Sequence, residues 1–323
     1  MHPFKHSAAA FAVALATACA PAISQTFPTR PMKLVLPTAA GTAPDSIARI
    51  LGEKLARSMG QPVIVENKPG AGGILAMNQL RHAPADGHTF ALIQAAVATV
   101  TPLTFKEARF DIERDFETVA IVGLTPMLFT ASTRFDARTL ADAIKAAKAA
   151  PDQVAIGSPN RTSIPHLANE LLALKTKAAF QQVPFATTGQ GVQAVVAGDI
   201  SMYTDGVGPL LQLVKAGRLK ALAVASDKVR PGLEGIPLAK DTVPDLNVYG
   251  WFMVAAPKGT PATVVERLNK ELNQAMKMDD VVAKFQEFGT YTTPGTVADA
   301  QSFVKREKTL FGDVVRAIGV KPE

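Results

Sequence analysis

Two stretches of this chain place a short apolar strand, a loop of small residues and an amphipathic helix in direct succession, an order that leaves main-chain amides free to grip an anion. In the first, Leu34, Val35 and Leu36 read as a buried strand and Pro37 ends it. Thr38, Ala39, Ala40, Gly41 and Thr42 then leave the backbone uncovered, before Ile47, Ile50, Leu51 and Leu55 set a helical period. The first N–H groups of a helix have no internal partner and carry the positive end of its dipole, so a carboxylate or phosphate can sit there without a lysine. The same residues also spell a plain strand-to-helix turn with Asp45 as its N-cap. The second stretch runs from a strand at Val154 to Gly157 through Ser158, Asn160, Thr162 and Ser163, then past Pro165 into a helix from His166 to Leu174.

Other chemistries can be weighed on the same residues. Ser158, Ser163, His166 and several aspartates make a hydrolase the natural rival, but the sequence has no Gly-x-Ser-x-Gly elbow and nothing in it sets a base against a serine. Gly70-Ala71-Gly72-Gly73 opens a helix after a strand, as a dinucleotide loop does, yet Leu75 stands where the third glycine belongs, and a tight turn explains it. His82, His88 and His166 lack the i, i+4 spacing of a zinc helix, so neither a metal nor a cofactor is expected. Arg161 could clamp a carboxylate or stay solvated, and His166 could donate to an anion or simply cap and pack its helix. Trp251, the one tryptophan, reads as core near a hinge, with ligand stacking as the alternative.

The elements that must position these groups follow from composition and periodicity. The N-terminus, with Lys5, an almost unbroken apolar run from Ala8 to Ala18 and Ala22-Ile23-Ser24 before Gln25, has the layout of a secretory signal peptide cleaved after Ser24. Its removal lowers the formal charge from +6 to +5 and takes away Cys19, the one cysteine, so no disulfide or thiolate chemistry is expected. No later run approaches the ~20 apolar residues of a membrane span. Basic residues alternate with acids, as in Lys305, Arg306, Glu307 and Lys308, without a basic stripe or interleaved aromatics, so nucleic acid is not an expected partner.

A mature chain of about 300 residues exceeds one ordinary core and predicts two lobes. Strands and helices alternate along it. Strands are expected at Pro62 to Val65, Thr89 to Ile93, Val119 to Val122, Met127 to Thr130, Ile200 to Thr204, Ala221 to Ala225 and Tyr249 to Ala255. Helices are expected at Ile74 to Arg81, Leu140 to Ala149, Gly189 to Val196, Pro209 to Lys215, Pro261 to Met278 and Ala298 to Ile318. That alternation implies α/β lobes built on parallel sheets, with ligands held beyond the carboxyl ends of the strands.

Several sequence blocks, in order, resemble the Bug, or TctC-like, periplasmic solute-binding receptors of tripartite tricarboxylate transporters. They are FPTRPMKLVLPTAAGTAPDSIARILGEKL near the start, GQPVIVENKPGAGG at Gly60 to Gly73, ADGHTFALI at Ala85 to Ile93, HLANEL at His166 to Leu171, AGRLKALAVAS at Ala216 to Ser226 and WFMVAAPKGTP at Trp251 to Pro261. The resemblance implies a two-lobe periplasmic-binding-protein type II fold, each lobe a mainly parallel sheet flanked by helices, joined by two hinge crossings. On that pattern residues 25–124 and 250–323 form lobe I and 125–249 lobe II. It further implies a monomeric, non-catalytic periplasmic receptor that closes on a small organic acid and serves membrane transporter subunits.

By the same resemblance, the amides of Ala39 to Thr42 and the hydroxyls of Thr42, Ser158, Thr162 and Ser163 hold the anion. Thr38, Asp45, Asn160 and His166 belong to the two loops, while Gln94, Ala95, Thr188, Tyr203 and Asp205 contact the remainder of the ligand. The chain departs from the family pattern at three places: its first loop lacks the aromatic-Pro-Ala-Gly-Gly run, Pro184-Phe185-Ala186-Thr187 lacks a common basic residue, and Asp205 adds an acid where asparagine is common. These departures shift the expected ligand from a di- or tricarboxylate toward a monocarboxylate, an amino acid or a partly neutral aromatic acid.

Overall fold

The computed structural model describes residues 27–322, so the predicted signal peptide lies outside it. Nine strands join in one curled, mixed sheet in the order β2-β1-β3-β9-β4-β7-β5-β6, with β8 paired to the far half of β4. The strands are β1 (Met32–Leu36), β2 (Val63–Asn67), β3 (Thr89–Gln94), β4 (Phe116–Ser132), β5 (Ala155–Pro159), β6 (Gln181–Phe185), β7 (Met202–Gly206), β8 (Leu219–Ala225) and β9 (Tyr249–Pro257). The two ends of this sheet repeat one plan. β1 lies between parallel neighbours β2 and β3, and β5 lies between parallel neighbours β6 and β7. In each half an antiparallel strand follows, β9 beside β3 and β4 beside β7. Each half is therefore mixed, its parallel trio closed by a strand arriving from the other side.

The strand β4 carries the connection. Its first part pairs with β9 from Phe116↔Pro257 to Pro126↔Tyr249, and from Met127 onward it pairs with β7 and β8. The sequence reading split this stretch into two strands at Gly123 and Pro126. Pro126 is tolerated because its missing N–H falls where β4 changes partners, and the register shifts between Thr118 and Ala120 and between Ile121 and Gly123 absorb the glycine.

Helices cover both faces. In β1, Met32, Leu34 and Leu36 point into one apolar cluster and Val35 into another, the period of two expected of a strand buried on both sides. The first cluster is completed by Ile47, Leu51 and Leu55 of α1 (Ala43–Met59) and by Leu268 and Leu272 of α10 (Ala262–Ala275). The helix α2 (Ile74–Arg81) and the short α3 (Ala95–Thr99) and α4 (Thr101–Thr104) follow on the first half. On the second half lie α5 (Leu140–Ala149), α6 (Ile164–Thr176), α7 (Thr188–Ala197), α8 (Val207–Lys215) and α9 (Ala239–Thr242). The chain ends with α11 (Asp279–Glu287) and α12 (Val297–Ala317), where a Thr296/Asp299 capping box starts the last helix.

The expected spans at Ile74 to Arg81 and Leu140 to Ala149 match the observed ones. The expected helix from Pro261 to Met278 ends at Ala275, and α11 follows as a separate helix. Among the described residues no helix is long and apolar enough to cross a membrane.

Candidate functional site

A cavity of about 430 Å³ opens at the carboxyl ends of both parallel trios. From the first half come Gly70, Gly72 and Gly73 after β2, Gln94 to Val97 at the β3–α3 junction, and Thr101 and Phe105. From the second half come Asn160, Thr162, Ser163 and Ile164 at the β5–α6 junction, and Asp205 and Gly206 at the β7–α8 junction. The floor is formed by Thr125 and Met127 of β4 and by Gly250, Trp251 and Phe252 of β9, the two strands that link the halves.

Of the residues expected at the site, Gln94, Ala95, Asn160, Thr162, Ser163 and Asp205 line this cavity. The first loop is placed differently. Pro37 reaches the wall, whereas Thr38, Ala39, Ala40, Gly41 and Thr42 lie outside the lining. One amide of the expected nest is taken by the chain itself: Gly41 donates it to Asp45 Oδ2 at 3.0 Å, and Thr42 donates its hydroxyl to the Ala39 carbonyl at 2.8 Å. The N-cap position belongs to Thr42, which correctly moves Asp45 from the expected cap into the first turn of α1. There Arg49 donates to Asp45 Oδ2 and Asn67 to Oδ1. The Arg49 hydrogen bond, helped by Gly41 and Asn67 and opposed by burial, holds the Asp45 carboxyl down to about 2.

The second loop is braced from beneath. Ser163 caps α6 by accepting the amide of His166, and Asn160 Oδ1 accepts from both the amide and the hydroxyl of Thr162. Ser158 and His166 are buried, with Ser158 Oγ 3.2 Å from His166 Nδ1 and His166 Nε2 3.4 Å from Glu170 Oε1. Burial, reinforced by the nearby Arg161 charge, lowers the imidazole pKa to about 4, and burial raises the Glu170 carboxyl. Arg161 itself is exposed and does not line the cavity.

Asp205 is held as an acceptor. Gly206 donates its amide to Oδ1 at 2.8 Å, Thr188 donates its hydroxyl to Oδ2 at 2.8 Å, and Tyr203 Oη lies 3.4 Å from Oδ2. Burial raises this carboxyl above its ordinary value, and those three donors offset part of the rise. Tyr203 is completely buried, and its ring leaves no room for a Cβ on either Gly157 or Gly191, which would sit 2.8 and 2.1 Å from it. Thr188 and Tyr203, expected to touch ligand, therefore stand behind Asp205 as its frame.

Sequence reasoning missed the wall formed by Gly70, Gly72 and Gly73, whose pattern reads as a turn, and the apolar wall of Phe105, Met127 and Phe252. A Cβ at Gly73 would sit 2.8 Å from Val97 and 3.3 Å from Pro37, so close packing of loop, strand and helix explains that glycine. Trp251 is both core and wall: it is 1% exposed, meets Phe303 edge-on at 5.7 Å and lines the cavity.

A cleft at the carboxyl ends of two α/β halves, floored by the strands that join them, defines a two-lobe binding protein of the periplasmic type. The chain matches the profile described as "Tripartite tricarboxylate transporter family receptor" (TctC) over residues 47–320, and it belongs to that family. It is 29% identical to Protein BugT of Bordetella pertussis, over 96% of this chain and 95% of that one. Among solved structures it resembles an R. palustris protein with adipate, at 27% identity and a TM-score of 0.77, covering 92% of this chain and 100% of that chain. It also resembles MatC from Rhodopseudomonas palustris with bound malate, at 28% identity and a TM-score of 0.72, covering 90% and 100%.

Proposed function

We propose that this chain is an exported, monomeric receptor that captures a small organic acid between its lobes and presents it, by closure, to membrane transporter subunits without chemical turnover. The observation that carries the reading is the cavity itself. Loops from both halves converge on it, and linking strands form its floor, so a ligand touching Gln94 and Asn160 bridges two parts of the protein joined through β4 and β9. The lobe boundaries at 124/125 and 249/250 lie within two residues of the change of partners in β4, between Pro126 and Met127, and of the start of β9 at Tyr249, which supports a division there. The adipate and malate held by two structural relatives support an acid as the ligand.

The main acid contacts are assigned to Gln94, the opening amides of α3 and the Asn160–Ser163 loop. The Ala39 to Thr42 amides lie outside the cavity lining, and the Gly41 amide joins the acid contacts only if Asp45 lets go of it. A hydrolase reading has one observation in its favour, the Ser158–His166–Glu170 chain. Ser158 is fully buried and lies outside the cavity lining, however, so no substrate carbonyl reaches its Oγ. The test is to incubate purified protein with a panel of carboxylates, following both melting temperature and chemical conversion. Ligand at a hundred times its Kd stabilises the native state by about 2.7 kcal/mol, so binding raises the melting temperature with no product formed. Steady product formation would overturn the receptor reading.

A further inference from the structure

We propose that the cleft selects acids bearing, at the end away from their carboxylate, a hydrogen-bond donor or an ammonium group, and that Asp205 makes the selection. The inference rests on the carboxylate-receptor reading above and concerns the other end of the ligand.

The first ground is charge. Among the described residues that line the cavity, Asp205 is the only side chain that ionises, and no lysine, arginine or histidine lies beside it. Two cations on the surrounding elements are committed or displaced: Arg49 is paired with Asp45 at 2.9 Å outside the lining, and Arg161 is exposed on its loop. A dicarboxylate spanning the cleft thus has no cation for its second group and meets an acid there. An ammonium, hydroxyl or amide donor meets a matching acceptor instead.

The second ground is hydrogen-bond accounting. The two oxygens of a carboxylate offer roughly four acceptor positions. Gly206 and Thr188 take one each at 2.8 Å, and Tyr203 approaches a third at 3.4 Å. One position remains for a guest. The framing groups are fixed, since Tyr203 lies between Gly157 and Gly191 and Thr188 opens α7. A preorganised acceptor of this kind discriminates strongly, because a ligand without a donor leaves it desolvated and unpaired.

The third ground is the body of the cavity. Phe105, Trp251, Phe252, Met127 and Val97 wall the space between the polar ends, so the selected acid is apolar or aromatic between its carboxylate and its donor.

The experiment compares matched pairs by calorimetry on the mature chain. Adipate is set against 5-aminopentanoate, and shorter aliphatic pairs of the same design are included. Benzene-1,4-dicarboxylate is set against 4-hydroxybenzoate as the rigid pair. The expected result is a donor-bearing acid bound at least tenfold more tightly than its dicarboxylate partner. In Asp205→Asn that preference falls at least tenfold, mainly through stronger dicarboxylate binding. Equal affinity within every pair in the wild type, or an unchanged ratio in Asp205→Asn, overturns the inference. So does binding confined to acids without a distal donor. The wild-type ratio stands alone should the variant fail to fold. Dicarboxylates bound as tightly as their donor-bearing partners overturn this inference and leave the receptor reading intact, whereas no binding by any carboxylate overturns both.

Discussion

Two buried groups carry opposite pH signatures. His166 is 3% exposed, and burial lowers its pKa from 6.5 to about 4, so the folded protein holds it neutral. The unfolded chain takes up that proton first. Stability from His166 is therefore complete above pH 6.5 and is lost as pH falls from there toward 4, by an amount on the order of 1 to 3 kcal/mol. Glu307 is 5% exposed, and burial raises its pKa from 4.5 to about 7, with only Arg306 at 3.7 Å as an ion partner. Its contribution is fully present below pH 4.5 and is lost as pH rises through 7. Chemical denaturation from pH 4 to 8 should show the acid-side slope flattened in His166→Gln. Glu307→Gln should match the wild type at pH 4.5 and exceed it at pH 8 by on the order of 1 to 3 kcal/mol. A parallel offset at all pH values in either variant would remove the assigned cause. Trp251 gives Glu307 a local reporter, because its indole offsets part of the rise that burial imposes on the carboxyl. Packing of His166 is one of its two readings in the sequence, whereas the charged run around Glu307 reads as a solvated face and hides its burial.

Elements with a complete local signal were readable in advance. Leu140 to Ala149 carries both a capping box, Thr139 with Asp142, and an apolar period, so local and tertiary preferences agree. The strand β6 was not read, because Gln181, Gln182 and Pro184 lack a strand pattern. It exists as the edge of the sheet, where only β5 pairs with it and a proline costs little. The candidate site was legible where a loop follows a strand of the parallel trio, as at Gln94, Asn160 to Ser163 and Asp205. It was not legible where distant segments build the wall, as at Phe105, Met127 and Phe252. The first loop lies outside the cavity lining, and Asp45, which reads as an ordinary cap, instead accepts the Gly41 amide. Close glycine contacts belong to this scale too. A Cβ on Gly289 would lie 2.4 Å from Gly208 N, and Gly289 has φ +67°. Gly41 has φ +80° but open space around it. Gly41→Ala should therefore cost about 1 to 2 kcal/mol through its backbone alone. Gly289→Ala should cost about 1 to 3 kcal/mol more, through overpacking. Melting curves of the two variants measure the difference, and equal losses would mean that the Gly208–Gly289 approach relaxes freely.

The Gly289 contact matters for the whole molecule because it belongs to a third tie between the halves. After α11 the chain makes a bridge from Tyr291 to Leu124, and Thr290 Oγ1 lies 2.7 Å from Thr125 Oγ1. Tyr291 also donates its hydroxyl to the Pro231 carbonyl at 2.8 Å, and Arg230 stands 5.7 Å from the centre of its ring. Tyr291 thereby packs in the cluster of Leu128, Val207 and Val224 on the second half, although the helices before it cover the first. With β4 and β9 as pivots, this tie should limit how far the halves rotate. Its release should shift the balance between arrangements rather than unfold either half. Tyr291→Phe removes the bond to Pro231 and keeps the ring. Spin labels at Ala40→Cys and Ala186→Cys, exposed positions just beyond β1 and β6, read the width of the cleft. Addition of the acid with the largest melting shift should shorten that distance in the wild type. In Tyr291→Phe the ligand-free distribution should broaden, with the liganded distance unchanged. A label distance indifferent to saturating ligand would exclude closure as the means of presentation, and an unaltered ligand-free distribution in the variant would free Tyr291 from any part in setting the angle.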